Sequence, residues 1–192
     1  MANAPDVAAY LLRECPGLDA LKLEKLLYYA QAWHLVWRDG VPLYNDRIEA
    51  WVHGPVVPSV YAMHRRRHDV DPSLIGGNPD AIGRSSAAVL DFVCGHYGQL
   101  SSRELVDLTH AERPWRVTRE RAHAAAGQHC SAQIPLDVIR EYYAEDRELN
   151  DQAWFWSPEW YDGELESEAE AGFDDAGADS RMSGDAFLAS LD

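Results

Sequence analysis

Between Leu21 and Trp37, apolar residues recur at positions 23, 26, 27, 30, 33 and 37. That spacing lines them along one face of an α-helix. Asp19 is placed to cap its start, Arg38 stands at its end, and Gly40 follows where a left-handed residue is expected. Residues 4 to 14 predict a shorter helix ahead of it, with Asn3 as N-cap, Pro5 in the first turn, and Val7, Ala8, Leu11 and Leu12 facing inward. Pro16-Gly17 ends that helix.

The pattern changes after Gly40. Val41-Pro-Leu-Tyr-Asn-Asp46 and Ile48-Glu-Ala-Trp-Val52 are too short for helices and rich in β-formers, which predicts a small extended or β-hairpin element near 41–53. The run from Ile48 to Tyr61 gathers aromatic and β-branched residues around Gly54, Pro55 and Pro58 and reads as a rigid corner. Pro58 suits the first turn of a helix reaching about residue 68. A loop from Asp71 to Gly83 precedes a helix capped by Ser85 or Ser86 and running through Tyr97. Ser101-Ser-Arg-Glu104 has capping-box spacing before Leu105, Val106 and Leu108. Pro114 then opens a helix to about Ala126, and Leu136 to Arg147 is the last. The fold class expected is mainly α: a compact bundle of about six or seven helices with the small β element.

Composition divides the chain. Its net charge is −15 over 192 residues, and Asp162 to Asp192 hold ten acids and one arginine, which leaves residues 1 to 161 at −6. The interleaved Gly, Ala and Ser of 162–192 offer little apolar surface against ordering entropy, so this acidic tail is expected to be disordered. It reads first as a solubilising tail; Phe187, Leu188 and Leu191 near its end are spaced for one helical turn against a partner. Trp154-Phe-Trp-Ser-Pro-Glu-Trp-Tyr161 places five aromatics just before it, expected to fold back and close the core. The expected division is therefore a helical domain over 1–161 and the tail over 162–192.

Cys15, Cys94 and Cys130 are odd in number and lack CxxC spacing, which fits buried thiols in a reducing compartment rather than a disulfide framework. The N-terminus has no cationic start followed by an apolar stretch, and no run approaches ~18 apolar residues. A cytoplasmic protein without membrane spans is expected.

Candidate chemistry is sparse. His64-Arg-Arg-Arg-His68 has the i, i+4 histidine spacing of a helical metal site, but three intervening arginines oppose a cation, and a basic, solvated helix end is the better reading. Arg113, Arg116, Arg119 and Arg121 form a second basic cluster, yet the overall acidity argues against direct nucleic-acid binding. His53 reads as a corner residue bonded to backbone, and His110 as a helix-end residue with Glu112 as its carboxylate partner. No metal, cofactor or catalytic residue is expected, and the chain is read as a non-enzyme.

Three blocks in order resemble a known family: Lys22-Leu-Glu-Lys-Leu-Leu-Tyr-Tyr-Ala-Gln31; Ile48-Glu-Ala-Trp51 with His53-Gly-Pro-Val-Val-Pro58 and Tyr61; and Leu105 with Leu108-Thr-His-Ala-Glu-Arg-Pro-Trp115. The chain is similar, over roughly residues 5 to 145, to the Panacea domain family of SocA-like antitoxins of bacteria and their phages. The resemblance implies a largely helical domain that binds and blocks a cognate protein toxin, usually encoded beside it. The alternative it implies is an adaptor delivering a bound protein to a Clp-type protease. The motif residues are read as maintaining the fold, with Gly54, Pro55, Pro58, Pro114 and Trp115 determining the corner. Partner contacts are assigned to Trp51, His53, Tyr61, Arg65, Arg66, Arg67, Trp154, Trp156, Trp160, Phe187 and Leu188, because aromatic and arginine side chains make the strongest interface anchors.

Overall fold

A computed structural model of the chain describes residues 2–146. The elements are α1 (Ala4–Glu14), α2 (Ala20–Trp37), β1 (Glu49–Trp51), β2 (Gly54–Val56), α3 (Pro58–His64), α4 (Pro72–Ile75), α5 (Arg84–Tyr97), α6 (Ser102–Ala111), α7 (Arg113–Arg121) and α8 (Leu136–Ala144), with a 3₁₀ turn at Pro79–Ala81. The mainly helical expectation holds. The aromatic segment at 154–161 and the acidic tail at 162–192 lie outside the described residues, as do the candidate contacts Trp154, Trp156, Trp160, Phe187 and Leu188.

Capping residues set the helix starts largely where the sequence places them. Asn3 with Asp6, and Ser101 with Glu104, form reciprocal capping boxes, and Asp19 accepts from the Lys22 amide at 2.8 Å. Pro58 occupies the first turn of α3, as expected. The α5 start differs: Gly83 is the N-cap, and neither Ser85 nor Ser86 caps it. Ser86 instead meets the ring of His34 at 3.1 Å.

α2 is not a one-faced helix. Every residue from Leu23 to Leu35 is buried, because α1, α5, α6, α8 and β2 pack around it. Its polar residues point inward and hold loops. Gln31 donates to the Tyr44 carbonyl and accepts the amides of Leu43 and Tyr44, while the His34 ring meets the Val41 carbonyl at 2.8 Å. The segment 41–46 is thus pinned to α2 side chains rather than paired as a strand. Buried polar groups need partners, and here the loop backbone supplies them. The helix ends at Trp37 as expected, and Gly40 takes a positive φ of 84° beyond it. Asp39 takes the left-handed conformation at φ 49°, and the Gly40 amide donates back to Leu35 at 2.7 Å.

The β element is a hairpin inside the corner. β1 and β2 pair antiparallel, with Glu49 opposite Val56, Ala50 opposite Pro55 and Trp51 opposite Gly54, so Val52 and His53 form its tip. On its other edge β1 is covered by 132–134: Ala50 donates to Ala132, and Ile134 donates to Ile48. No peptide bond is cis among the described residues.

Cys15 and Cys94 form a disulfide joining α1 to α5, with Cα atoms 5.7 Å apart, while Cys130 is a free, buried thiol. This corrects the expectation of unpaired thiols. The partners lie 79 positions apart in the chain, and linear spacing alone gave no sign of the pairing. No described helix is long and apolar enough to cross a membrane.

Candidate functional site

The N-terminal end of α2 carries two ionisable residues buried almost completely, Glu24 and Lys25. Unpaired charges in such a place cost several kcal/mol, on the order of the stability of a small domain. Both are engaged by the corner. Lys25 donates to the Pro55 carbonyl at 3.0 Å, and Glu24 accepts the Val57 amide at 2.8 Å and the His64 Nε2 proton at 2.8 Å. Burial lowers the Lys25 ammonium to about 8, with Glu24 the main opposing influence.

Gly54 is required where these groups meet. Its φ is +96°, and a Cβ built on it would lie 2.7 Å from both Lys25 Cε and Thr109 Oγ1. Only the absence of a side chain admits this backbone against α2 and α6. Thr109 in turn donates to the Leu105 or Val106 carbonyl, each 3.0 Å away.

The third block completes the frame. Trp115 Nε1 donates to the Trp51 carbonyl at 2.9 Å, and the His110 ring stacks on Trp115 at 4.0 Å between centroids. Burial, and then the nearby Lys25 charge, hold the His110 imidazole below its ordinary range. Glu112 is not the partner of His110. It accepts hydroxyl protons from Tyr29 at 3.0 Å and Tyr143 at 2.8 Å, in a cluster where Tyr28 packs edge-on against both rings. Burial pushes its carboxyl up to about 7 despite those donors.

These contacts hold one wall of a groove of about 580 Å³. Its lining includes Trp51, His53 and Val56 of the hairpin, Tyr61 and His64 of α3, Arg66 and Arg67 beyond it, Leu21 and Glu24 of α2, and His129. Trp51 is fixed in orientation: its Nε1 donates to the buried carboxylate of Glu49 at 2.7 Å, its ring meets Tyr61 edge-to-face at 4.7 Å, and Arg47 pairs with Glu49 at 2.6 Å. The 125–129 segment is held by buried Arg119, which donates to the carbonyls of Ala50, Ala125 and Gln128. Arg119 therefore does not belong to an exposed basic cluster, and α7 ends at Arg121 rather than near Ala126.

Of the residues assigned to a partner, Trp51, His53, Tyr61, Arg66 and Arg67 come together in the groove; Arg65 is exposed at the end of α3 and stands outside the lining. His53 is exposed at the hairpin tip, with no hydrogen bond to backbone among the described residues. The expected helical stretch through His68 is broken: α3 stops at His64, and Arg66 turns left-handed at φ 64°. His64 is 1% exposed, not part of a solvated helix end, and no group of three or more metal-ligating side chains occurs among the described residues. The sequence pattern did not single out Glu24, Lys25 or His129, and it placed His64 on a solvated helix end. The first two lie within the quoted blocks, but a periodic helix offers no sign that its Glu-Lys pair faces inward.

The blocks that meet at this frame lie within a segment that matches a known family model. Residues 23–116 match the family model described as Antitoxin SocA-like, Panacea domain. The match runs from α2 into the start of α7, and so contains the hairpin, α3 and the Glu112 cluster except Tyr143. No curated protein and no solved structure matches the chain.

Proposed function

We propose that the chain is a non-enzymatic antitoxin that neutralises a cognate protein toxin by direct binding. The observation that carries this reading is the family match over the segment that supplies most of the groove's lining. The site's chemistry favours it. His64 and Glu24 are committed to each other, His110 to Trp115, and Glu112 to tyrosine hydroxyls, so the buried titratable groups hold structure instead of facing a substrate together. The groove presents what protein interfaces use as anchors: a fixed Trp, a Tyr and two arginines. The partner is expected to be encoded beside this chain.

The test is co-expression. The product of the adjacent gene is induced alone and with this chain in a host that tolerates neither toxin nor leak. Growth arrest relieved by this chain, with the two proteins co-purifying, supports the proposal. A neighbour that leaves growth unaffected, or an arrest this chain does not relieve, removes it.

A further inference from the structure

One residue that lines the groove has a buried polar atom without a hydrogen-bond partner. His64 donates through Nε2 to Glu24, yet its Nδ1 is buried and meets no hydrogen-bonding group. Buried unsatisfied nitrogens are uncommon and costly, by ~1–3 kcal/mol. His64 is one of the residues that line the cavity.

The rim carries a second mismatch. In a chain of net charge −15, Arg66 and Arg67 stand at the groove without ion-pair partners among the described residues. Arg67 reaches no further than a weak influence on Asp71. Arg66 is held in a left-handed backbone, at φ 64°, that a residue with a side chain adopts only at a cost. The lining also includes the half-buried rings of Trp51 and Tyr61 and the apolar Val52 and Val56.

We infer that this groove docks an acidic peptide segment of the partner protein, one apolar side chain seated against Trp51 and Tyr61. In that arrangement, flanking Asp or Glu carboxylates pair with Arg66 and Arg67. The inference rests on the reading of this chain as a protein that binds another. Charge complementarity selects an anionic segment, and the aromatic walls require an apolar group within it.

A peptide-display selection against the full-length chain tests this without needing the toxin. Expected is enrichment of peptides with Asp or Glu flanking a Leu, Phe or Trp. A synthetic consensus peptide should then bind about tenfold more weakly, or worse, to an Arg66→Glu/Arg67→Glu chain, and more weakly as salt rises. Arg140→Glu is the control, because Arg140 packs by Gly40 at the other end of α2; it should bind as wild type does. Both arginines of the double variant are exposed, so its helical content and unfolding midpoint should be unchanged. Selection of nothing, selection without acidic bias, or equal binding by the double variant overturns the inference. Selection seen only after residues 162–192 are deleted also overturns it, since the groove then belongs to the chain's own acidic run. A double variant that still neutralises the toxin removes the groove as the docking site but leaves the antitoxin reading intact. A wild-type chain that relieves no toxicity removes that reading, whatever the peptides show.

Discussion

Gly54 and Thr109 stand so close that a methyl group on the glycine would lie 2.7 Å from the threonine hydroxyl, and as near to the methylene chain of Lys25. The packing of α2, α6 and the hairpin converges on that point. Gly54→Ala is therefore expected to destabilise the chain by about 2–4 kcal/mol, from overpacking together with a left-handed φ. Gly83→Ala, at an N-cap with open space around it, should change stability by no more than about 0.5 kcal/mol. Urea unfolding of both variants decides the matter: equal midpoints for the two would show that the close approach is not a constraint.

Glu112 should make stability depend on pH in a definite direction. Its carboxyl is pushed from an ordinary 4.5 up to about 7. Between those values the folded chain holds a proton that the unfolded chain has released, so its contribution to stability falls as pH rises from 4.5 to 7 and is fully lost above 7. Glu112→Gln keeps an acceptor for one tyrosine hydroxyl and abolishes the titration. The wild-type stability, minus that of the variant, should decline by about 1–3 kcal/mol across this window. Parallel pH profiles would contradict the assignment.

The Cys15–Cys94 link gives a third expectation. A cross-link spanning 79 residues between α1 and α5 constrains the unfolded chain and contributes about 2–4 kcal/mol. Reductant should lower the unfolding midpoint of the wild type and leave Cys15→Ser unaffected. Three alkylatable thiols in the unreduced, denatured protein would rule the link out.

Element types were legible in the sequence because capping residues and prolines act locally: Asn3, Asp19, Ser101, Pro58 and Pro114 each stand at the helix start their chemistry implies. The corner was legible as a corner for the same reason. Its pairing was not, because β1 finds β2 across the two-residue tip at Val52 and His53, inside a run whose prolines argue against a strand. The burial of Glu24, Lys25, Gln31 and His34 was hidden as well. A polar residue facing a loop carbonyl has the same periodicity as one facing water. Trp51, Tyr61, Arg66 and Arg67 were picked out by composition, and the fold brings them to one groove; Arg119 was picked out the same way and proves to be an internal brace. Composition marks residues able to anchor a partner, while only tertiary contact tells which of them already have one.

Direct neutralisation is tested most sharply by titration. The purified toxin's activity is measured against increasing amounts of the purified chain, with no protease present. Inhibition that grows linearly and reaches completion at a fixed molar ratio is the expected result. Undiminished activity at molar excess, with toxin lost only in cells that contain a Clp-type protease, would contradict occlusion and make the chain an adaptor.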